Sequence, residues 1–575
     1  MLTGFLQMKK DQENNPHLLA LARAVGSFFE SREPPEHAKA LGSLCERLTL
    51  QNEKGTTHLL ASEYRDLCED PSIFSPVGQA DENLPLVLTA SGSLYFRRYF
   101  EYEIEIAKSL AARACLEHRS FSSGSLQFFD QVIRPHLDDS QSLAVGVGMQ
   151  TNLLFLTGGP GTGKTRTLAL LLACMLKESP GLSIALAAPT GKSAHRMRQS
   201  IAQTLEDVDL PSEVAEKLLH SARASTLHRL LGSVHGSVDF RRNAGNPLSC
   251  DVVVVDEVSM VDLPLMAKLC SALSKDAVLI LAGDADQLSP VQGGAVFNSL
   301  VRELISNTFY THQETNLASF SKLGRFKEIN HPLGGCLVNL SHSHRRSRQE
   351  PSTDELGNLC DAIREGRGED ALSIVRASED SLCLIESLDD PAIPQLLRQG
   401  FAFLNQSTDP QKAISALGKF RILCAHNLGR FGVDGWNERV QKIFPPAVDN
   451  PVPVVVGVND YSIGLFNGDD GVIMNNIAHF PDDQGLREIS CSRLPGHQIG
   501  YCTTIHRSQG SEFEQVLIVL PPADARLLSR ELLYVATSRA KSKITLIGDP
   551  QSLLAAVERR EDSRSGVLEL LTTVK

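Results

Sequence analysis

The sequence predicts an α/β protein: two parallel-sheet domains, a helical domain before them and a small β insertion in the second. Three observations carry this expectation. Short apolar runs at 153–156, 183–187, 252–255 and 277–281 alternate with helix-like segments, the pattern of a parallel sheet covered by helices. The same alternation returns at 420–424, 515–520 and 543–547. Between the apolar run 153–156 and the helix-like run 167–176 stands Gly158-Gly159-Pro160-Gly161-Thr162-Gly163-Lys164-Thr165, a P-loop in the strand-loop-helix setting that the motif requires.

In chain order, residues 1–136 form the helical domain, with apolar residues at helical spacing over 18–29, 41–50 and 95–116. Residues 137–335 form the first α/β domain, broken at 232–247 by a Gly-, Arg- and Asn-rich stretch that reads as a small hairpin. Residues 336–575 form the second. Within it, about 436–498 changes character, with short β-type pieces at 452–458 and 471–474 and a Phe466-Asn467-Gly468-Asp469 turn, which predicts an inserted β-barrel.

The 575 residues exceed what one hydrophobic core supports, and 42% hydrophobic with 22% charged residues describes an ordinary globular chain. No apolar run reaches membrane-spanning length and residues 1–15 lack a signal-peptide core, so a cytoplasmic location is expected. Twelve cysteines contain no C-x-x-C pair, which suggests neither a zinc site nor a disulfide framework. A net charge of −12 is unusual for a nucleic-acid binder. A motor, however, can confine its basic groups to one channel, and Lys192, His195, Arg196 and Arg198, then Arg241 and Arg242, then Arg345, Arg346 and Arg348 form such clusters. Each cluster read alone is equally a solvated face.

The P-loop glycines free backbone N–H groups to surround a polyphosphate, Lys164 supplies a cation for the β- and γ-phosphates, and the Thr165 hydroxyl is suited to Mg²⁺. A nucleoside triphosphate site follows, from Gly158 to Thr165 and the adjoining Arg166. The Val252-Val253-Val254-Val255-Asp256-Glu257 run is an apolar strand ending in two carboxylates, Asp256 for the Mg²⁺ water shell and Glu257 to polarise the attacking water. Gln287, in Gly283-Asp284-Ala285-Asp286-Gln287, follows a third strand end and is placed to sense the γ-phosphate. Arg345 and Arg539 are candidates for arginines reaching across a cleft from the second domain.

In this order the motifs resemble the superfamily 1 DNA helicases, and within them the RecD subunits of RecBCD exonuclease V. The resemblance runs from about Gln141 to the C-terminus. It takes in the P-loop, Ala188-Pro189-Thr190-Gly191-Lys192-Ser193-Ala194, Ser225-Thr226-Leu227-His228-Arg229-Leu230-Leu231-Gly232 and Asp256-Glu257-Val258-Ser259-Met260. It continues through 283–288, Leu465-Phe466-Asn467-Gly468-Asp469 and His506-Arg507-Ser508-Gln509-Gly510-Ser511-Glu512-Phe513 to Arg539. The resemblance implies two RecA-like domains, an SH3-like β insertion and a strand-separating hairpin at 232–247. It implies that Gln141 reads adenine, hence ATP, and that Pro189, Thr190, His228, His506, Ser508 and Gln509 face single-stranded DNA. It further implies 5′→3′ movement, RecB-like and RecC-like partner subunits, DNA ends as substrate and a role in double-strand break repair and recombination. Arg507 stands where the family often has lysine, His344 where it has tyrosine and Ser538 where it has threonine. Arg507 keeps a cation with different geometry.

No nuclease is expected in this chain, because 555–575 offers no carboxylate cluster for a two-metal site. Three rival readings remain. A stand-alone RecD-like helicase would carry helix-hairpin-helix repeats that 1–136 lack. An ATP-switched structural subunit could dispense with efficient hydrolysis, so the intact Lys164, Glu257, Gln287 and Arg539 argue against it. RNA is the third alternative, as the substrate.

Overall fold

In the computed structural model the described residues are 16–573, except 116–118, 120, 222–223, 235, 291–292, 305, 311–312, 328–330, 343–353, 446–449, 459, 461 and 483–484. Two parallel sheets dominate. The first has the spatial order Leu337–Leu340, Leu153–Gly158, Val278–Gly283, Val252–Val255, Ile184–Ala188, Ser225–Thr226, every neighbour parallel. The second runs Leu382–Ile385, Ala540–Ile547, Phe513–Val519, Phe420–Cys424, Cys502–Thr504, again all parallel. The apolar runs become central strands because both faces are covered. Val252, Val253, Val254 and Val255 are all fully buried, Val252 and Val254 packing to one side and Val253 and Val255 to the other.

The sequence-based boundary at 335/336 is displaced. Leu337–Leu340 pairs with the P-loop strand, Leu337 opposite Phe155 and Leu340 opposite Gly158, so it closes the first sheet rather than opening the second. An apolar tetrapeptide carries no label for the sheet it joins.

The N-terminal domain is not purely helical. Helices Pro16–Glu30, Pro35–Asn52 and Arg97–Ala114 accompany a four-stranded sheet ordered His58–Leu59, Leu94–Phe96, Leu86–Leu88, Val77–Gly78. Strands of two or three residues are too short for an alternating pattern to register. Leu41, Leu44, Cys45 and Leu48 bury one helical stripe against Leu59, Phe74, Leu86 and Leu94. The boundary at 136 is no break in packing either. Phe100, Ile106 and Leu110 of Arg97–Ala114 share a core with Met266 and Leu269 of Leu263–Ala272 and with Val567 and Leu570 of Val567–Thr573.

The C-terminal segment therefore returns to the front of the chain. Glu561 accepts the Ser289 N–H at 3.1 Å, Arg564 pairs with Glu63, and the buried Glu103 carboxylate accepts from Ser565 Oγ at 2.8 Å and from the Gly566 N–H at 2.9 Å.

The insertion is a five-stranded antiparallel sheet in the order Gly485–Ser490, Ile477–Asp482, Asp470–Met474, Val452–Val456, His497–Ile499. Its start falls later than 436, since Val433–Ile443 is a helix packed through Trp436 and Val440 on the second sheet's core. The predicted hairpin at 232–247 is present as two antiparallel bridges, Ser233 with Phe240 and Asn243 with Asn246.

One ionic node joins all three motor parts. Asp470 of the insertion pairs with Arg421 of the second sheet and, at 2.6 Å, with Lys192 of the first domain. Burial alone would raise the Asp470 pKa, but the two cations hold it at about 2. Arg421 is buried, so removing its partner strands a charge in the interior. Asp470→Ala is expected to cost about 3 kcal/mol of stability, read from denaturant unfolding. A loss below about 1 kcal/mol would show that the node is solvated like a surface pair.

Candidate nucleotide site and nucleic-acid face

The fully buried strand Leu153–Gly158 runs into the P-loop, and the helix Lys164–Glu178 starts directly after it. Gly161 and Gly163 have φ of +77° and +78°, which only glycine adopts at no cost, and this turns successive N–H groups inward at a helix N-terminus. Lys164 Nζ donates to the carbonyls of Gly158 at 2.6 Å and Gly159 at 3.2 Å, folded over the cradle a phosphate would fill. Gln141 lies behind the loop: its Nε2 donates to the Thr162 carbonyl at 3.0 Å and its Oε1 accepts the Asp138 N–H at 3.0 Å. Pro160 belongs to the same turn, and Arg166 pairs with Asp207 at 3.1 Å.

The two predicted magnesium ligands meet. Thr165 Oγ1 donates to Asp256 Oδ2 at 3.1 Å. Burial, with the neighbouring Glu257 charge adding, pushes the Asp256 carboxyl up to about 6, while Lys164 opposes. Such a carboxylate gains from a hard divalent cation, and the oxygen donor set suits Mg²⁺. Glu257 holds φ of +53°, a conformation costing a non-glycine residue about 1–3 kcal/mol, and its buried Oε2 has no protein partner among the described residues. An unpaired carboxylate oxygen in a strained backbone, next to the P-loop, fits a base aimed at something bound there.

Gln287 is buried, its Nε2 donating to Asp284 Oδ2 at 3.3 Å. Burial raises the Asp284 carboxyl and Lys164 opposes it, so the third strand end shares the electrostatics of the P-loop. Arg539 enters from the second domain at the end of the helix Arg530–Ser538. It is 3% exposed, and its guanidinium donates to neutral acceptors: the carbonyls of Val535 at 3.1 Å and Ser511 at 3.2 Å and the Ser538 hydroxyl at 3.0 Å. Burial lowers its pKa, and the Glu257 charge is the largest influence opposing that shift. The second cleft candidate, Arg345, lies outside the described residues, as do His344, Arg346 and Arg348.

Tyr534 was not predicted. Its hydroxyl reaches from the second domain to Asp284 Oδ2 at 3.2 Å, and a Cβ placed on Gly159 would lie 3.1 Å from it. In the sequence it reads as one more apolar residue of a buried helix.

Of the residues implied to face DNA, Pro189 and Thr190 lead into the helix Gly191–Asp207, His506, Ser508 and Gln509 lie in the turns at 505–510, and His228 lies on the helix Leu227–Leu231. Thr190 caps that helix, its Oγ1 accepting the Ser193 N–H at 3.1 Å, with Pro189 just before it. Arg196 donates to the Gly510 carbonyl at 2.8 Å and pairs with Glu512 at 2.9 Å, which brings the two motifs together across the domains. Gln509 is buried, and its Nε2 has no protein partner among the described residues. His506 is kept neutral by burial, which lowers its pKa. Ser508 does not join this face: it is 1% exposed and its hydroxyl donates to the Ile505 carbonyl at 2.7 Å, holding the turn from inside. His228 is exposed and packs its ring against Phe240 of the hairpin, centroids 5.7 Å apart.

Known proteins are similar to this chain in sequence. Residues 141–293 match the AAA domain family and residues 500–547 the UvrD-like helicase C-terminal domain. The RecBCD enzyme subunit RecD of Mycobacterium tuberculosis is 34% identical over 498 residues, covering 82% of this chain and 79% of that one. The RecBCD enzyme subunit RecD of Haemophilus influenzae is 32% identical over 529 residues, 84% and 80% of the two chains. The ATP-dependent RecD2 DNA helicase of Deinococcus radiodurans is 27% identical over 448 residues, 76% of this chain and 52% of that one. With a third of its residues identical across four-fifths of both chains, this protein belongs to the RecD family.

Proposed function

We propose that the chain is an ATP-dependent DNA translocase and helicase, moving 5′→3′ on single-stranded DNA as the RecD-type motor subunit of an exonuclease V complex. RecB-like and RecC-like subunits complete the heterotrimer, which acts on DNA ends in the cytoplasm, in double-strand break repair and recombination. The observation that carries the reading is the composite cleft: Lys164, Asp256, Glu257 and Gln287 on the strand ends of one sheet, with Arg539 and Tyr534 arriving from the other. Greater identity to the RecD subunits of Mycobacterium tuberculosis and Haemophilus influenzae, 34% and 32%, than to the RecD2 helicase, 27%, with a far larger share of the RecD chains covered, favours the complex over the stand-alone alternative.

In this reading Lys164 and the loop N–H groups hold the ATP phosphates. Thr165 and Asp256 hold Mg²⁺, which when bound neutralises charge developing on the phosphates. Glu257 takes a proton from the attacking water, Gln287 orients that water, and Arg539 meets the transition-state charge. Closure over ATP and release after hydrolysis move the grip around Pro189 and Thr190 relative to the grip around His506 and Gln509.

Direction is tested with oligonucleotides carrying streptavidin at one end. The proposal expects ATP-dependent displacement from a 3′-end biotin and much slower displacement from a 5′-end biotin. The reverse preference would overturn the polarity, and no stimulation of ATPase by single-stranded DNA would overturn the motor assignment.

A further inference from the structure

The Tyr534 hydroxyl links three motifs of the cleft through one carboxylate. Tyr534 lies five residues before Arg539 on the helix Arg530–Ser538, with its ring 3% exposed. Its hydroxyl and Gln287 Nε2 both donate to Asp284 Oδ2, at 3.2 and 3.3 Å, while Asp284 Oδ1 accepts the Asp286 N–H at 3.1 Å. The phenol thus spans from the second domain to the end of the strand Val278–Gly283 of the first, passing against the P-loop at Gly159.

The hydrogen-bonding inventory fixes what this arrangement does to Gln287. Asp284 Oδ2 accepts from Gln287 Nε2, so the face of the Gln287 amide turned to Asp284 is its NH₂ group. The carbonyl oxygen Oε1 then points away from Asp284, and it is buried without a protein partner among the described residues. An unpaired buried acceptor costs free energy unless something fills it, and a water beside a bound γ-phosphate would supply the missing donor. The phenol keeps its proton, since burial pushes its pKa well above the ordinary value. It therefore donates whenever the two domains are close enough for the 3.2 Å contact.

We propose that Tyr534 is a positioning residue: by hydrogen-bonding Asp284 when the second domain closes, it locks the Gln287 amide with Oε1 toward the attacking water. Domain closure is thereby reported to the hydrolytic water through Tyr534, Asp284 and Gln287 in series, separately from the charge that Arg539 brings. Neither Tyr534 nor Asp284 needs to touch ATP, so the contact acts on turnover and leaves nucleotide binding alone.

The inference rests on the ATPase reading, and the experiment separates the two. Turnover stimulated by single-stranded DNA is measured for the wild-type chain, Tyr534→Phe, Gln287→Ala and the double variant, with thermal melting recorded for each. Tyr534→Phe keeps the ring and removes only the hydroxyl. It is expected to lower kcat about tenfold with KM for ATP unchanged within about twofold, the scale of one hydrogen bond to a charged group. In the Gln287→Ala background the same change is expected to cost nothing further. The same loss with and without Gln287, or an unchanged kcat in Tyr534→Phe, would overturn the proposal. A lowered melting temperature with equal losses in both backgrounds would make Tyr534 a purely structural residue and overturn it as well. A wild-type chain without DNA-stimulated turnover would instead remove the ATPase reading, whatever the variants do.

Discussion

Glu257→Gln is expected to leave a folded chain that binds ATP and turns it over about a thousandfold more slowly, the scale of losing a positioned general base. Gln has the size of Glu and fits the same backbone, so the strained φ of +53° is retained and packing is not the variable. What disappears is the ability to take a proton. Oε2 of Glu257 is buried without a protein partner among the described residues, and the Asp256 carboxylate beside it is committed to Thr165 and to the Glu257 N–H at 2.9 Å. Asp256 is therefore poorly placed to substitute as base. Phosphate release with single-stranded DNA present gives the rate, and a fluorescent ATP analogue gives the binding. Near-normal turnover would sink Glu257 as the base. Lys164→Ala should lose turnover as well but through weaker phosphate binding, so the two variants divide between chemistry and affinity.

Arg539→Ala is the second large effect: at least about a hundredfold less hydrolysis with ATP binding kept, as expected of an arginine that meets charge in the transition state. The geometry gives this prediction its edge. The guanidinium is buried among neutral oxygens of Val535, Ser511 and Ser538, and among the described residues no carboxylate is hydrogen-bonded to it. A buried cation held this way is costly, and the developing phosphate charge repays it. Because Arg539 also ties the Ser511 carbonyl to its own helix, Arg539→Lys is the companion variant. It keeps the charge but loses the fork of donors, and it should recover stability without recovering the rate. Loss of ATP binding in Arg539→Ala would move the residue from chemistry to ground-state binding or to folding.

The parts of this molecule legible in the sequence are those whose physics is local. Val252–Val255 could only be a doubly covered strand, and the P-loop glycines needed a strand before them and a helix after them, as found. Asp256, Glu257 and Gln287 followed because a parallel sheet delivers its strand ends to one edge. What escaped depends on long-range partners. Leu337–Leu340 joins the first sheet although the 335/336 boundary puts it in the second domain, because its partner, Leu153–Gly158, lies far back in the sequence. The N-terminal strands were missed for their shortness. Ser508 sits inside a turn although its motif is implied to face DNA, since a hydroxyl that caps a backbone carbonyl and one that meets a phosphate are the same letter. Tyr534 escaped because an aromatic on a buried helix reads as core, and only the arrival of Asp284 gives its hydroxyl a purpose.

The returning C-terminal segment also sets a clock on synthesis. Glu103 finds two of its donors, Ser565 and Gly566, more than 460 positions later, so the N-terminal domain cannot close around that carboxylate until synthesis has passed residue 566. At about 5–20 residues per second the wait is on the order of half a minute or more. Through that interval Phe100, Ile106 and Leu110 lack Val567, Leu570 and Leu571, members of the same core, and an apolar face stays uncovered. The helix Val567–Thr573 is thus the piece that seals this seam.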